Sequence, residues 1–186
     1  MPSLEETIVE RRSVRSYQDQ EVPVALVRDL LDLARRAPSS LNGQPCHFFV
    51  LRDAARRRRL AEIKNRHCPP EKKEYPADFL ALAPVVVVVC VERRRSFGRE
   101  LENGILAAAF LLLAAHARGL AGVYLSAYPS GERPGERAGD RGLAGEIRAL
   151  VALPEGLVPV AIVPLGYPAA VPPAKVLRSL EEIVHA

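Results

Sequence analysis

The polar residues between positions 37 and 48 are the first candidates for chemistry, in the run A-P-S-S-L-N-G-Q-P-C-H-F. Pro38 and Pro45 fix their own φ angles, lack an N–H and push the preceding residues out of the helical region. The loop is therefore predicted to be stiff, and it carries side chains able to hydrogen-bond a ligand: Ser39, Ser40, Asn42 and Gln44. The same residue types are common in turns, so an ordinary helix-to-strand connection is the alternative.

A basic cluster near the N-terminus is the second candidate. The run R-R-S-V-R-S-Y places Arg11, Arg12 and Arg15 close to Ser13 and Ser16. Guanidinium forks and hydroxyls together suit a phosphate group. The alternative is a solvated helix end, where basic side chains answer the negative pole of the helix dipole.

The composition places both candidates in one soluble domain, predicted over residues 1–186. The chain has 48% hydrophobic and 26% charged residues, which is typical of a globular protein. Its net charge of +4 suits an anionic ligand but is too weak and dispersed to indicate nucleic acid. Arginine makes up 22 of the 26 basic residues, so the chain has many guanidinium groups of the shape that suits a phosphate.

Several other site classes are excluded. The three cysteines are odd in number and lack paired spacing, and the four histidines lack metal-ligand spacing. The chain contains neither a dinucleotide-binding fingerprint nor a P-loop nor a G-x-S-x-G nucleophile elbow. The N-terminus has no signal-peptide pattern, and the apolar runs are shorter than the about 20 residues that a bilayer requires. We therefore expect a cytoplasmic protein that does not contact a membrane.

The elements that must position the candidates follow from capping and periodicity. Ser3 and Glu6 form a capping box, Pro23 opens a second helix, and Asp53 is the expected N-cap of a third. Other predicted helices span 100–118, 143–153 and 179–186, and predicted strands span 47–51, 85–91, 123–128 and 158–165. The β-branched run 85–91 predicts a strand buried on both faces, and helix 100–118 is the expected core helix. Residues 66–82 and 131–142 are predicted to be irregular, and residues 172–178 to form an extended arm.

A basic cluster, a stiff polar loop and a basic C-terminal arm together favour binding of an anionic, ring-bearing molecule over acid–base catalysis. A redox cofactor reconciles an enzyme with so few candidate catalytic groups, because the cofactor carries the chemistry.

The ordered motif set is similar to a known family. R-R-S-V-R-S-Y, A-P-S-S-L-N-G-Q-P, A-A-H-A-R-G-L, V-P-V-A-I-V-P-L-G-Y-P and L-E-E-I-V-H together resemble the nitroreductase family of FMN-dependent NAD(P)H oxidoreductases. The resemblance implies an α+β fold with a mostly antiparallel central sheet flanked by helices in three layers. It also implies an intertwined homodimer with a C-terminal arm at about 167–186 and FMN at the interface. NADH or NADPH is the implied co-substrate.

The resemblance also implies the site residues, with flavin N5 in place of catalytic side chains. Hydride would pass through N5 to a nitroaromatic, a quinone or a related small-molecule electron acceptor. The implied contacts are Arg11, Arg12 and Ser13 near the phosphate, Arg15 at the N1–O2 edge, Pro38, Ser39, Ser40 and Asn42 from the partner subunit, Leu125, Ser126 and Ala127 at N5, and Gly166, Lys175 and Arg178 at the phosphate.

Three positions depart from the family pattern and leave alternatives open. Cys46 stands where Trp is usual, Ser126 where Glu or Gly is common, and K-V-L-R replaces K-P-R near the end. The first two affect the choice of substrate, so a specialised flavin dehydrogenase of a biosynthetic intermediate is an alternative. A non-catalytic protein that binds nucleic acid through the arginines of 56–59 and 93–95 is another, although aromatic residues for stacking are scarce at 5%.

Overall fold

The computed structural model describes residues 2–69, 76–128 and 142–185. In chain order its elements are α1 (Leu4–Glu10), α2 (Val24–Ala34), a 3-10 turn (Ser40–Asn42), β1 (Cys46–Leu51), α3 (Ala54–Arg66), α4 (Phe79–Leu82), β2 (Val85–Glu92), α5 (Arg93–Ser96), α6 (Glu100–Ala117), β3 (Ala121–Gly122), β4 (Leu125–Ser126), α7 (Leu143–Val151) and β5 (Leu157–Gly166).

The sheet is built around the valine run of β2. Its neighbours are β1 on one side and β5 on the other, and β3 and β4 both pair with β5, so the order is β1-β2-β5-β3. Every strand pair is antiparallel. Residues 85–91 are fully buried because β-branched side chains pack on both faces of this strand.

Helices cover both faces of the sheet and complete the three layers. One core cluster joins α2 and α6 to one face, with Leu30 and Leu111 among its fully buried side chains. The other joins α3, α4 and α7 to the opposite face, with Leu60 and Ile147 at its centre. The predicted α+β class, with an antiparallel sheet between helical layers, is confirmed.

The predicted core helix is α6, whose 18 residues run along the sheet and against α2. By length and composition alone it also suits a membrane span. Its packing accounts for this apolar character, because eight of its residues are buried in the fold. At Gly104 the helix lies so close to β5 that an added Cβ would meet Val160 Cβ at 2.6 Å.

The N-terminal caps predicted for α1 and α3 are present in the structure. The Ser3 side chain accepts from the Glu6 N–H, and Glu6 accepts from the Ser3 N–H, which completes the capping box of α1. The Asp53 side chain accepts from the Arg56 N–H at 2.8 Å and caps α3. Pro23 lies one position earlier than expected, at the N-cap of α2.

Three predicted segments differ from the structure. The C-terminal helix predicted over 179–186 is wrong, because residues 179–184 form only one turn, and residues 169–185 are exposed without a layer to pack on. The predicted irregular stretch 66–82 contains α4, and the predicted strand 123–128 shortens to β4. Most of the predicted loop 131–142 lies outside the described residues.

A carboxylate of α7 holds that helix to the C-terminal end of α3. Glu146 accepts from Arg66 and lies 2.7 Å from the Nε2 atom of His67. The hydrogen bond with His67 and the interaction with Arg66 together hold the pKa of Glu146 below its usual value of 4.5. The charged form of Glu146 is therefore the form that stabilises the contact between α3 and α7.

The close approach at Gly104 predicts a loss of stability on Gly104→Ala. Overpacking of a core costs about 1–3 kcal/mol, against which the better helix propensity of alanine returns about 1 kcal/mol. Urea denaturation should therefore show a lower free energy of unfolding. The same substitution should cost less in a Val160→Ala background, since that change removes Cγ1 at 2.6 Å and Cγ2 at 2.9 Å and leaves only the Cβ contact. Equal costs in the two backgrounds would contradict the packing argument.

The Glu146 contact predicts an acid-dependent difference in melting temperature between the wild type and Glu146→Gln. Because the pKa of Glu146 is lower in the folded than in the unfolded chain, its contribution is present above pH 4.5 and is lost as the pH falls through the folded value. Thermal unfolding should favour the wild type at about pH 6, and the two melting temperatures should converge at about pH 3. A gap of constant size would show that the charge of Glu146 is irrelevant.

Candidate functional site

The basic cluster lies on an extended segment at the edge of the sheet. Ser13 forms a parallel bridge with Gly122, and the Val14 N–H donates to Gly122 O at 3.1 Å. Further along, the Gln18 N–H donates to Tyr167 O at 2.9 Å. Val14 is buried, so it anchors the segment while the flanking arginines stay near the surface. The cluster is thus fixed beside β3 and the end of β5.

The glycine predicted for the phosphate stretch has a packing role at this edge. A Cβ on Gly166 would lie 2.7 Å from Pro84 Cδ and 2.9 Å from Tyr17 Cδ1. Tyr17 is held in turn by its hydroxyl, which donates to Val14 O at 2.8 Å, and burial raises the pKa of this phenol. The requirement for glycine at 166 therefore follows from close packing alone.

Arg12 brings the C-terminal arm to the basic cluster beside β3 and the end of β5, and we call this region the basic corner. Its Nε donates to Pro173 O at 3.1 Å and its Nη1 to Val9 O at 2.7 Å. Lys175 follows two residues after Pro173. Within the described residues, four basic side chains of the cluster and of the nearby arm form no ion pair with a carboxylate: Arg11, Arg12, Arg15 and Lys175. The corner therefore holds uncompensated positive charge, which suits an anion.

The remaining predicted residue of the arm is engaged differently. Arg178 Nε donates to Glu182 Oε2 at 3.1 Å, so Arg178 forms an ion pair within the arm. Its backbone neighbours are exposed along the whole segment. Lys175 is consequently better placed than Arg178 to add to the charge of the corner.

Arg15 reaches the helical layer that contains α4. Its guanidinium carbon lies 5.9 Å from the centroid of the Phe79 ring, which is a cation–π geometry. Phe79 begins α4, and Asn65 of α3 holds the residues just before it. The Asn65 side chain accepts from the Ala77 N–H at 2.6 Å and donates to Asp78 Oδ1 at 2.6 Å.

The predicted stretch 125–127 pairs with the middle of β5. Leu125 and Ser126 oppose Ile162 and Ala161, and the Ala127 N–H donates to Val160 O at 3.0 Å. Leu125 and Ser126 are half-buried, whereas Ala127 is fully buried. Leu125 and Ser126 are therefore the residues of this stretch that retain surface for a ligand, whereas Ala127 is enclosed.

The C-terminal end of α3 contacts both the stretch 125–127 and the segment that leads to Phe79. This end of the helix was not predicted from the sequence to be part of the site. Lys64 Nζ donates to Ser126 O at 2.8 Å, and the next residue, Asn65, holds the segment that carries Phe79. No motif marks these positions, because they lie in an arginine-rich helix that reads as a solvated face. The one local signal is that Lys64 and Asn65 are polar residues directly after the buried Ile63.

The loop between α2 and β1 has an unusual backbone. Leu41, Asn42 and Gln44 have φ angles of 48°, 52° and 49°, in the left-handed region that non-glycine residues rarely adopt. Ser39 Oγ accepts from the Gln44 N–H at 3.0 Å, and Gln44 Nε2 lies 3.3 Å from Asn42 Oδ1. The predicted stiffness is thus accompanied by a network of internal hydrogen bonds. Pro38 is exposed before this turn.

The loop and the basic corner lie at opposite ends of the sheet. The loop enters β1 at Cys46, which pairs with Val91, whereas the corner adjoins the pair of Val85 and Leu165. Val85 and Val91 are six residues apart, which is about 20 Å along a strand. One chain therefore brings Arg11, Arg12, Ser13, Arg15 and the arm together but keeps the predicted loop residues away from them.

Two other sequence candidates have structural explanations. The Cys46 thiol lies 3.6 Å from Asn103 O, and burial raises its pKa to about 11, so it is a protonated, packed group. The arginines of 56–59 largely bind their own chain: Arg56 donates to Leu150 O, Arg57 to the carbonyls of Ala81 and Ala83, and Arg59 pairs with Glu62.

Comparison with known proteins agrees with this architecture. A sequence model described as the nitroreductase family matches residues 8–167. A protein of Methanothermobacter thermautotrophicus named "Putative NADH dehydrogenase/NAD(P)H nitroreductase" is 36% identical over 169 residues, which cover 90% of this chain and 78% of that protein.

Two solved structures extend the comparison to the fold. A Bacteroides thetaiotaomicron protein of the same name has 28% identity and a TM-score of 0.80, with 100% of this chain and 98% of that one covered. An iodotyrosine deiodinase solved with FMN and 3-iodo-L-tyrosine has 25% identity and a TM-score of 0.77, with 98% of each chain covered. With the family match spanning most of its length, the chain belongs to the nitroreductase family.

Proposed function

We propose that the protein is an FMN-dependent oxidoreductase. It takes hydride from NADH or NADPH and passes it to a nitroaromatic, a quinone or a related small-molecule acceptor. Membership of the nitroreductase family, an NAD(P)H nitroreductase as a relative and FMN in the related deiodinase structure support this function. The single observation of this chain that carries it is the uncompensated basic corner around Arg11 and Arg15.

The residues of the corner fit the phosphate group of FMN. A phosphate monoester carries nearly two negative charges at neutral pH and has three strong acceptor oxygens. Arg11 makes no side-chain hydrogen bond within the described residues, so its five donors are available to such a group. Ser13 adds a hydroxyl, and Lys175 adds a charge from the arm. Arg12 is partly used in holding Pro173, so we assign it mainly to placing the arm.

The chain contributes binding and orientation to the proposed reaction. Bound FMN would supply hydride transfer, for which no side chain of this chain is suited. Arg15 would place a positive charge at the edge of the flavin ring, and this charge would favour the negatively charged reduced form of the flavin. The backbone of Leu125 and Ser126 would orient the reacting face of the flavin, and Lys64 would keep that backbone in place through Ser126 O. This division leaves acceptor choice to the residues beside the flavin, among which Ser126 departs from the family pattern.

We further propose that the working unit is a homodimer with two shared sites. The loop that carries Ser40 and Asn42 lies about 20 Å from the basic corner of its own chain, so the two meet only if they come from different copies. Exposed apolar side chains supply a surface for such pairing: Leu4 and Ile8 on α1, Ile105 and Phe110 on α6, and Val176, Leu177 and Leu180 on the arm. The arm at about 167–186 would then pack on the partner and gain the layer that it lacks in one chain.

The cysteine pattern supports a cytoplasmic location for this enzyme. Cys46, Cys68 and Cys90 are all free thiols. Unpaired thiols in this number are typical of a reducing compartment. The proposed co-substrates are likewise soluble small molecules.

The proposed function predicts a flavin that the nicotinamide cofactor reduces. Protein purified and reconstituted with FMN should retain it through gel filtration, because the phosphate contacts add charge-assisted hydrogen bonds. Anaerobic addition of NADH or NADPH should bleach the flavin absorption, and a quinone or nitroaromatic should restore it. Protein that retains no FMN, or retains it without bleaching by either nucleotide, would contradict the proposal.

The shared site predicts complementation between two defective variants. Arg11→Ala should weaken the basic corner and Asn42→Ala the loop, so each homodimer carries the same defect in both of its sites. In a mixed dimer, one site carries both defects and the other carries none, so equal random mixing leaves about one quarter of all sites intact. Co-expressed variants should therefore exceed the average NAD(P)H-dependent turnover of the separate variants. Activity equal to that average would show that each site lies within one chain.

A further inference from the structure

The loop of residues 39–44 adopts a backbone that its own sequence does not favour. Three non-glycine residues, Leu41, Asn42 and Gln44, have positive φ angles. Such residues persist only when the surrounding structure over-determines them, and they cluster at functional sites. Leu41 is also 81% exposed, so it gains nothing from burial in this chain. Hydrogen bonds inside the loop hold part of this conformation, and two contacts from outside the loop add to them.

A buried amide on α6 supplies the first of these contacts. Asn103 is 1% exposed, and its Oδ1 accepts from the Ser40 N–H at 2.9 Å. Its Nδ2 donates to Ser96 O at 3.3 Å, so both ends of the amide are in use. Without the amide, the Ser40 N–H would lose this acceptor at the point where the 3-10 turn starts. Asn103 thus joins the loop to the α5–α6 junction.

An arginine at the same junction supplies the second contact. Arg95 Nε donates to Gly43 O at 2.7 Å. The approach is so close that a Cβ on Gly43 would lie 2.1 Å from Arg95 O. Gly43 therefore sits against the backbone of α5 as well as its side chain. The loop is held at Ser40 and at Gly43, on either side of Leu41 and Asn42.

We propose that Asn103, assisted by Arg95, is a positioning residue for FMN binding. It keeps the loop in the conformation in which Ser40 and Asn42 reach the cofactor of a second copy, and so the inference rests on the proposed function. Apparent affinity falls in proportion to the fraction of molecules in the binding-competent conformation. A loop released from Asn103 relaxes toward ordinary φ values, and cofactor affinity declines although no cofactor contact has been removed.

The test compares FMN dissociation constants with amide hydrogen exchange in the FMN-free protein. Asn103→Ala removes the acceptor for the Ser40 N–H, whereas Asn103→Asp retains that acceptor and loses only the donor to Ser96 O. Arg95→Ala releases the Gly43 end from an exposed position, where folding is not at risk. Leu111→Ala is the matched control, because it empties a buried site on the same helix, two turns from the loop.

We expect Asn103→Ala to raise the FMN dissociation constant about ten-fold and Arg95→Ala about three-fold, with faster exchange of peptides covering 39–44 in both. Asn103→Asp should recover only part of the affinity, because it keeps an acceptor for the Ser40 N–H but places a carboxylate oxygen against Ser96 O. Leu111→Ala should lower the melting temperature but leave the dissociation constant unchanged well below that temperature. Measurement of FMN binding by fluorescence titration requires no turnover.

Two results would overturn the inference. One is FMN affinity within two-fold of the wild type in both Asn103→Ala and Arg95→Ala, and the other is equal loss of affinity in Leu111→Ala and Asn103→Ala. If Asn103→Ala does not fold, Arg95→Ala alone decides. A wild-type chain that binds no FMN would instead defeat the proposed function and the inference with it, so the two failures are distinct.

Discussion

The burial of β2 on both faces is the constraint on which the rest of the structure depends. Its seven consecutive residues 85–91 are fully buried, so helices must cover each side of the sheet, and β1 and β5 must protect each edge. Because both neighbours are antiparallel, the segments that lead into β1 and out of β5 emerge at opposite ends of this strand. The polar loop and the basic corner are separated for that reason, and a site that uses both needs two chains.

Much of this fold could be predicted because its signals are local. The capping box at Ser3, the cap at Asp53 and the valine run each determine their element through neighbouring residues. The same logic was wrong for 179–186, although Ser179 and Glu182 have capping-box spacing. A short helix in water is unstable unless an apolar face packs, and this arm is exposed along its length in one chain.

The candidate site was less predictable, since its geometry depends on contacts between distant residues. The prolines suggested a stiff loop, but the turn with positive φ angles at Leu41 and Asn42 is hydrogen-bonded at Ser40 to Asn103, some 60 positions later. Likewise, Lys64 meets Ser126 across 62 residues. Periodicity assigns such side chains to a face of a helix, but it does not identify the backbone group that the folded chain brings to that face.

The arginines show why charge alone is a poor guide to function in this protein. Several donate hydrogen bonds to backbone carbonyls of their own chain and so hold segments of the fold together: Arg52, Arg56, Arg57 and Arg148. Others neutralise carboxylates on the surface, as Arg35 and Arg36 do with Asp32. The arginines that remain to attract an anion are those without an internal oxygen acceptor in the described chain. Arg11 and Arg15 meet this condition beside the edge of the sheet, where we propose that they bind the anionic cofactor.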